Sequence, residues 1–245
     1  MSESILLTVV LPAYNEERHI GSTLEEISGY LKKRNITYEI IVVDDGSKDG
    51  TVETAQARSS LFNNFKILEN ATNKGKGCSV KRGVLSAEGE YVLFMDADNS
   101  TSIYEFDKFL PLLEEGCEVV IASRRLKDSN VEEPQPLLRA KMGQFYIFLA
   151  KTILGLSSSD FNCGFKAYKK ESARRIFELQ NMNDWSFDVE LLFLIKKFGL
   201  KLKEVPVKWV HKSGSKVRPV RDGIRSFLSV IKIRLNDLTL EKWTQ

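Results

Sequence analysis

Along the first half of the chain, short and nearly unbroken apolar runs alternate with segments whose apolar positions fall three and four residues apart. Runs of that length read as buried strands and the spaced segments as amphipathic helices. The pattern predicts strands over residues 6–11, 39–44, 65–68, 91–95 and 119–123. Between them it predicts helices over 17–33, 51–61, 77–87 and 104–114, the first carrying Ile20, Leu24, Ile27 and Leu31 on one face. Strand and helix in strict alternation give a mainly parallel sheet flanked by helices, an α/β fold.

Past residue 125 the rhythm loosens. A proline-bearing loop at 131–136 leads to a helix over 138–154, then an apolar stretch at 165–168, a helix over 187–198 and a strand-like run at 202–210. A soft boundary is therefore expected near residue 125, with an amphipathic appendage over 221–235. The longest apolar stretch, 145–156, is interrupted by Lys151 and is short of the roughly 18–20 residues that span hydrocarbon, so no transmembrane helix is expected. Glu3 and the missing cationic start argue against a signal peptide.

With 42% hydrophobic residues among 245, the chain can bury a core as one α/β domain or two small ones, which excludes disordered and fibrous classes. Lys and Arg number 36 against 33 Asp and Glu; the net charge of +3 is too small a field to argue for nucleic-acid binding. Cys78, Cys117 and Cys163 lie far apart without zinc or disulfide spacing, which suits a reducing compartment.

Ligands of open α/β sheets bind beyond the carboxyl ends of the strands, so polar residues just past a buried strand are the first candidates for chemistry. Three strands run into such residues: Pro12, Ala13, Tyr14, Asn15 and Glu16; Asp44 and Asp45; Asp96, Ala97 and Asp98. Singly, these are ordinary turn and cap chemistry. Gathered on one edge, the carboxylates repel unless a cation or hydrogen-bond donors neutralise them. Asp96 and Asp98 stand one residue apart, so a single turn off the strand can aim both at one hard cation, Mg2+ or Mn2+. Such ions complete their shell with substrate phosphates, which implies a diphosphate.

Four ordered stretches, VVLPAYNEE, IVVDDGSKDGT, NKGKGCSVKRG and YVLFMDADNST, resemble those of family 2 glycosyltransferases with a GT-A fold. Within that family the chain is most similar to polyprenyl-phosphate hexosyltransferases of the dolichyl-phosphate glucosyltransferase and dolichyl-phosphate mannose synthase type, from residue 5 to about 216. The resemblance implies a catalytic domain over 1–220, with a nucleotide-binding half at about 1–125 and an acceptor half at about 126–220, followed by a helix or tail over 221–245. It also implies that Pro12, Ala13, Tyr14, Glu16 and Asp45 hold the nucleotide, with Val43 on the backbone side. Asp45 would accept the N3–H of a uracil and Tyr14 would wall its ring, unless Tyr14 is a core aromatic.

By the same likeness Lys76 belongs to a glycine-rich helix entry facing phosphate or donor sugar, and Asp96, Ala97 and Asp98 take the metal and diphosphate role. Arg124 and Arg125 resemble a segment that contacts donor or acceptor phosphate; with Arg139 and Lys166 they are the candidates for the acceptor phosphate. Asp160, ahead of Gly164, Phe165 and Lys166, takes a position proposed as catalytic, and the stretch WSFDVELL adds Asp188 or Glu190 as a second candidate. His211 and Lys216 resemble a loop that closes over the diphosphate, though His211 stands where mannose synthases tend to carry Arg.

The implied reaction is inverting hexosyl transfer from a nucleotide sugar, UDP-glucose or a related UDP-sugar, to polyprenyl phosphate. GDP-mannose as donor, or a hydroxyl acceptor, is the alternative. A nucleotidyltransferase would require a nucleoside triphosphate, and a binding adaptor would turn nothing over. A phosphate monoester is largely dianionic at neutral pH and needs no strong base, so Asp160 is expected to orient a cation such as Lys166 or to steady charge on the sugar. Apolar residues mixed with cations over 137–156 and 221–235 suit interfacial helices, or helices packed on the domain. Many relatives carry C-terminal transmembrane helices, and none is read here. The expected location is therefore peripheral, on the cytoplasmic face of a membrane, with a membrane-protein partner and a homo-oligomer both open.

Overall fold

The computed structural model describes residues 4–132, 137–212 and 219–240, without the side chains of 137–142, 219–226 and 238–240. Its strands are β1 (Leu7–Ala13), β2 (Tyr38–Asp44), β3 (Phe65–Glu69), β4 (Tyr91–Met95), β5 (Val119–Ser123), β6 (Asn130–Val131), β7 (Phe165–Lys169), β8 (Leu202–Pro206) and β9 (Lys208–Trp209). Its helices are α1 (Glu17–Arg34), α2 (Thr51–Gln56), α3 (Lys76–Leu85), α4 (Leu110–Glu114), α5 (Leu137–Leu154), α6 (Lys170–Leu179), α7 (Phe187–Lys197) and α8 (Pro219–Leu240).

Seven strands form one sheet in the order β3-β2-β1-β4-β7-β5-β8, parallel except for β7, which runs antiparallel to both β4 and β5. Alternate residues feed two cores. Val9, Leu11, Ile40, Val42, Leu93 and Met95 face α1 and α4, while Val10, Ile41, Val43, Val92 and Phe94 face α3, α6 and α7. Each fully buried Val or Leu contributes about 1.5–3 kcal/mol. Helix α1 buries Ile20, Leu24, Ile27 and Leu31 as the spacing predicts. It ends at Asn35, whose left-handed backbone (φ 48°) lets its N–H donate to the Leu31 carbonyl.

Several elements depart from their sequence pattern. The helix expected over 104–114 is a 3-10 turn (Ile103–Lys108) followed by the short α4. Pro111 lies in the first turn of α4 and has no N–H to continue an earlier helix through it. The helix expected over 51–61 likewise splits into α2 and a 3-10 turn at Ser59–Leu61. The run at 202–210 divides at Val207: β8 joins the main sheet, while β9 pairs with β6 in a separate two-stranded ladder. Helix α6 has no counterpart in the expected elements, because only Ala173, Ile176 and Phe177 carry its buried face amid charged residues. Both β7 and β8 enter the sheet begun by β1–β5, so the chain on either side of residue 125 shares one sheet.

Candidate active site

The C-terminal ends of β1 and β2 are laced together. Asn15 takes a left-handed backbone (φ 51°), its N–H donates to Ser47 Oγ at 2.8 Å, and its Oδ1 accepts from the Lys48 N–H at 2.8 Å. The Glu16 N–H donates to Thr51 Oγ1 at 2.8 Å. Pro12, Tyr14 and Glu16 are thereby fixed, half-buried, on the rim, the Glu16 carboxylate 3.0 Å from His19 Nδ1. Ala13 and Val43 are buried in the strands below.

Asp45 is buried and works as a fastener. Its Oδ1 accepts from Asn70 Nδ2 (2.8 Å) and the Lys74 N–H (2.9 Å), and its Oδ2 from the Gly75 N–H (2.8 Å). Three of the carboxylate's roughly four acceptor sites are thus spent on holding the glycine-rich loop at the start of α3, which leaves about one for a base N–H.

Because β7 runs antiparallel to β4, its beginning lies beside the end of β4, with Met95 opposite Phe165. The loop 160–164 therefore arrives at Asp96, whose N–H donates to the Gly164 carbonyl at 2.9 Å. A Cβ on Gly164 would sit 2.0 Å from Asp96 Oδ2, so only glycine leaves room for that carboxylate. Asp98 turns back to accept from the Ser100 N–H at 2.9 Å, and Thr23 of α1 donates to the Ala97 carbonyl at 2.8 Å. Across the site Lys76 Nζ donates to Asp96 Oδ1 at 2.5 Å and lies 5.0 Å from the centre of the Trp185 ring. Burial raises the Asp96 pKa, Lys76 pulls it down, and Asp98 pushes it up again; the net direction is upward. Burial alone would lower Lys76, but Asp96 and Asp188 outweigh it and hold the ammonium above its ordinary value.

Arg124, just past β5, grips Asp160 with a fork: Nε to Oδ2 at 2.7 Å and NH2 to Oδ1 at 2.9 Å, with its own N–H on Oδ2 at 3.0 Å. Burial would raise Asp160, but these bonds more than reverse it and hold the carboxyl below its usual range. Glu204 of β8 supports the same loop, accepting from the Ser159 and Asp160 N–H groups.

The expected link between Asp160 and Lys166 is not made. Lys166 is buried within β7, where its ammonium donates to the Phe161 carbonyl at 2.7 Å and pairs with Asp188. A cation so enclosed does not reach an acceptor phosphate, which corrects the expectation for Lys166. Asp188 is equally buried beneath the site, and burial raises its pKa against the pull of Lys166 and Lys76. Glu190 is structural: its Oε2 accepts from the N–H groups of Asn181 (3.0 Å) and Met182 (2.7 Å), anchoring the loop that carries Trp185. Arg125 is exposed, its guanidinium against Gly143 of α5. The Val210 N–H donates to the Ser100 carbonyl at 2.9 Å, which brings the segment of His211 to the Asp98 turn, and the Trp209 ring underlies Arg124 at 5.3 Å. Lys216 lies outside the described residues, as does the side chain of Arg139.

Sequence reading missed three contributors. Trp185 was only part of a longer stretch, although a lone tryptophan between polar residues is a signal in itself; Glu204 and Asn70 gave none, being single polar residues in strand and turn. Among the described residues no three His, Cys, Asp or Glu side chains gather closely enough to ligate an ion. Asp96 and Asp98 offer two hard-oxygen carboxylates, and Gly164 leaves room for the first of them, a donor set that suits an ion completed by substrate phosphate and water.

A mainly parallel sheet whose carboxyl edge carries paired aspartates, a glycine-rich helix entry and an arginine fork is the arrangement of the GT-A class of glycosyltransferases, which the solved structures of similar fold share. The chain matches the glycosyl transferase family 2 model over residues 8–177 and belongs to that family; it is a glycosyltransferase. It is 34% identical to a dolichyl-phosphate beta-glucosyltransferase of Dictyostelium discoideum, over 96% of this chain and 76% of the relative. The human dolichyl-phosphate beta-glucosyltransferase is 32% identical, over 95% and 76% of the two chains. Among solved structures, the fold resembles glucosyl-3-phosphoglycerate synthase from Mycobacterium tuberculosis in complex with UDP, with a TM-score of 0.68 and 23% identity over 95% of this chain and 79% of that one. A complex of the same enzyme with Mn2+, UDP and glucosyl-3-phosphoglycerate gives a TM-score of 0.66 at 22% identity, over 94% and 80%.

Proposed function

We propose that this chain transfers a glucosyl group from UDP-glucose to a polyprenyl phosphate of the dolichyl type, inverting the anomeric centre. Likeness to the dolichyl-phosphate beta-glucosyltransferases along nearly the whole chain supports donor and acceptor together. The observation that carries the phosphate acceptor is the state of the two candidate bases. Asp160 has both oxygens on Arg124, and Asp188 is paired with Lys166. A hydroxyl acceptor needs a carboxylate free to take its proton, whereas a phosphate monoester, with a second pKa near 6, arrives ionised.

Asp96 and Asp98 would hold Mg2+ or Mn2+, which supplies neutralisation of the charge that gathers on the leaving UDP. The complex of the mycobacterial synthase with both Mn2+ and UDP supports that assignment. Lys76 adds a second cation at the same place, next to Asp96. Tyr14, Glu16 and Asp45 frame the uridine end. Asp160 acts by fixing Arg124, whose remaining N–H donors, with those of Arg125, face the acceptor phosphate.

The lipid chain would leave along α5, whose Gly143 meets Arg125 and whose Phe145 and Phe148 are 64% and 63% exposed. On α8, Phe227, Leu228, Ile231 and Leu235 are also exposed, although Val230 and Ile233 of the same helix are in the core. Apolar surface of this kind suits a bilayer interface. No helix among the described residues is long and apolar enough to cross a membrane. The free thiols Cys78, Cys117 and Cys163 favour the cytoplasmic face.

Radiolabelled UDP-glucose, UDP-N-acetylglucosamine and GDP-mannose, each incubated with polyprenyl phosphate in detergent with and without Mg2+ or Mn2+, test the reading. Metal-dependent label in the lipid phase from UDP-glucose is expected. Label from GDP-mannose alone, or none from any donor, overturns it.

A further inference from the structure

Trp185 is the one large aromatic of the loop 181–186, and that loop is held at several points. Glu190 accepts from two of its N–H groups, Gln180 Nε2 donates to the Met182 and Gly77 carbonyls, and the Gly77 N–H of α3 donates to the Asn183 carbonyl at 2.8 Å. So much scaffolding would ordinarily serve to bury an indole, yet Trp185 remains 39% exposed. Its ring lies 5.0 Å from Lys76 Nζ, and Lys76 donates to Asp96. Phe94, with its ring centre 5.3 Å from the same ammonium, is fully buried. Lys76, held by its bond to Asp96, thus has one ring of the core near it and one that stays partly open to solvent.

Taking the proposed transfer as its basis, we infer that Trp185 is the platform on which the donor hexose lies, and that it selects glucose over sugars with an axial hydroxyl. If Asp96 and Lys76 face the diphosphate, the sugar one bond further on reaches the neighbouring indole. A glucopyranose with all ring hydroxyls equatorial presents C–H groups on both faces, which suit a flat aromatic surface. An axial hydroxyl, as at C4 of galactose, puts a polar group on one face, where an indole leaves it unsatisfied. Trp185 makes no bond to the reacting atoms in this reading; it sets which sugar is held and how it lies.

The test uses the full chain and the variants Trp185→Phe and Trp185→Ala. Three quantities are measured: transfer from UDP-glucose and UDP-galactose to polyprenyl phosphate, inhibition by UDP, and quenching of intrinsic fluorescence. Stacking worth about 0.5–1.5 kcal/mol corresponds to a loss of up to about tenfold in kcat/KM for UDP-glucose in Trp185→Ala. The glucose-to-galactose ratio should fall with it, Trp185→Phe should restore most of both, and the inhibition constant of UDP, which lacks the sugar, should stay within about twofold. UDP-glucose should quench wild-type fluorescence more than UDP does, and that difference should vanish in Trp185→Phe. An unchanged sugar ratio, equal weakening of UDP, or loss confined to the KM of the lipid would overturn the platform. Should wild type label no lipid from any donor, the proposed transfer fails, while the fluorescence comparison still decides whether Trp185 meets the sugar.

Discussion

Gly164 has no side chain because the Asp96 carboxylate fills the space one would need, at 2.0–2.4 Å from an added Cβ. In Gly164→Ala the flexible aspartate yields rather than the backbone. The fold should survive with a Tm change of no more than about 2–4 °C, the shift that 1 kcal/mol produces in a domain of this size. With Asp96 in its proposed role at the metal and diphosphate, a displacement of about 1 Å should cost on the order of 10²-fold in kcat, and that loss, measured beside the melting curve, is the expected result. Asp160 makes the opposite trade, since Arg124 holds its carboxyl below the ordinary value. A depressed folded pKa contributes stability that is present above the unfolded value of about 3.9 and is lost as pH falls through the folded one. Asp160→Asn leaves the Arg124 guanidinium without its charge partner and should cost about 3–5 kcal/mol near pH 7. In urea unfolding from pH 3 to 7, wild type should approach the variant only below about pH 4; parallel curves across the range would refute the ion-pair account. At this scale Asp96 and Asp98 were visible in the sequence because they follow a recognisable strand, and Asp160 through the family resemblance of the segment that leads to Gly164, Phe165 and Lys166. Their partners were not: that Arg124 serves Asp160, while Lys166 turns to Asp188 instead, shows only once the strands are placed side by side in the sheet.

Elements explain that blindness. Apolar runs mark β4 and β5 as strands and leave 165–168 as an apolar stretch, but nothing in a run states its direction, and the antiparallel insertion of β7 between β4 and β5 is what carries Gly164 to Asp96. Periodicity located α1 and α3 within a residue or two, since their buried faces are long, and failed for α6 and for the broken helix before β5, where few apolar positions or a proline obscure the period. Helix α3 shows how closely an element can be fixed. Gly83 faces the sheet, and a Cβ there would stand 2.4 Å from Val10 Cγ1 and 2.9 Å from Val43 Cγ2. Both valines are fully buried in the sheet, and neither has space to retreat. Overpacking of this kind costs about 1–3 kcal/mol, so Gly83→Ala should lower the urea midpoint with an unchanged slope. Because α3 begins at Lys76, the same variant should also weaken UDP binding, whereas Ala at Gly29, inside α1 with nothing within 4 Å of the added Cβ, should leave UDP binding unchanged and raise the midpoint by the roughly 0.5–1 kcal/mol that Ala gains over Gly in a helix.

On the scale of the whole molecule, one side stays apolar after both cores are filled. Helices α5 and α8 each give one face to the core, through Ala150 and Leu154 and through Val230 and Ile233, and each turns a second apolar face outward. A helix that only capped the domain would carry polar residues on its outer side. Burial at a lipid interface stabilises about 25 cal/mol per Å² of apolar surface removed from water, so replacing two exposed apolar side chains by carboxylates should abolish attachment. Lys232 on the same helix is exposed, and a cation near an anionic surface adds about 1 kcal/mol. The chain should therefore sediment with vesicles that contain phosphatidylserine, and less so at high salt. The double variant Phe148→Asp, Leu228→Asp should remain in the supernatant with UDP binding unchanged, since neither side chain approaches Tyr14, Asp45 or Asp96. Its transfer to polyprenyl phosphate should fall sharply in vesicles yet recover in detergent, where the acceptor no longer has to be taken from a bilayer. Equal loss in both media would mean that these side chains shape the acceptor channel itself, and equal retention would remove the membrane from the account of α5 and α8.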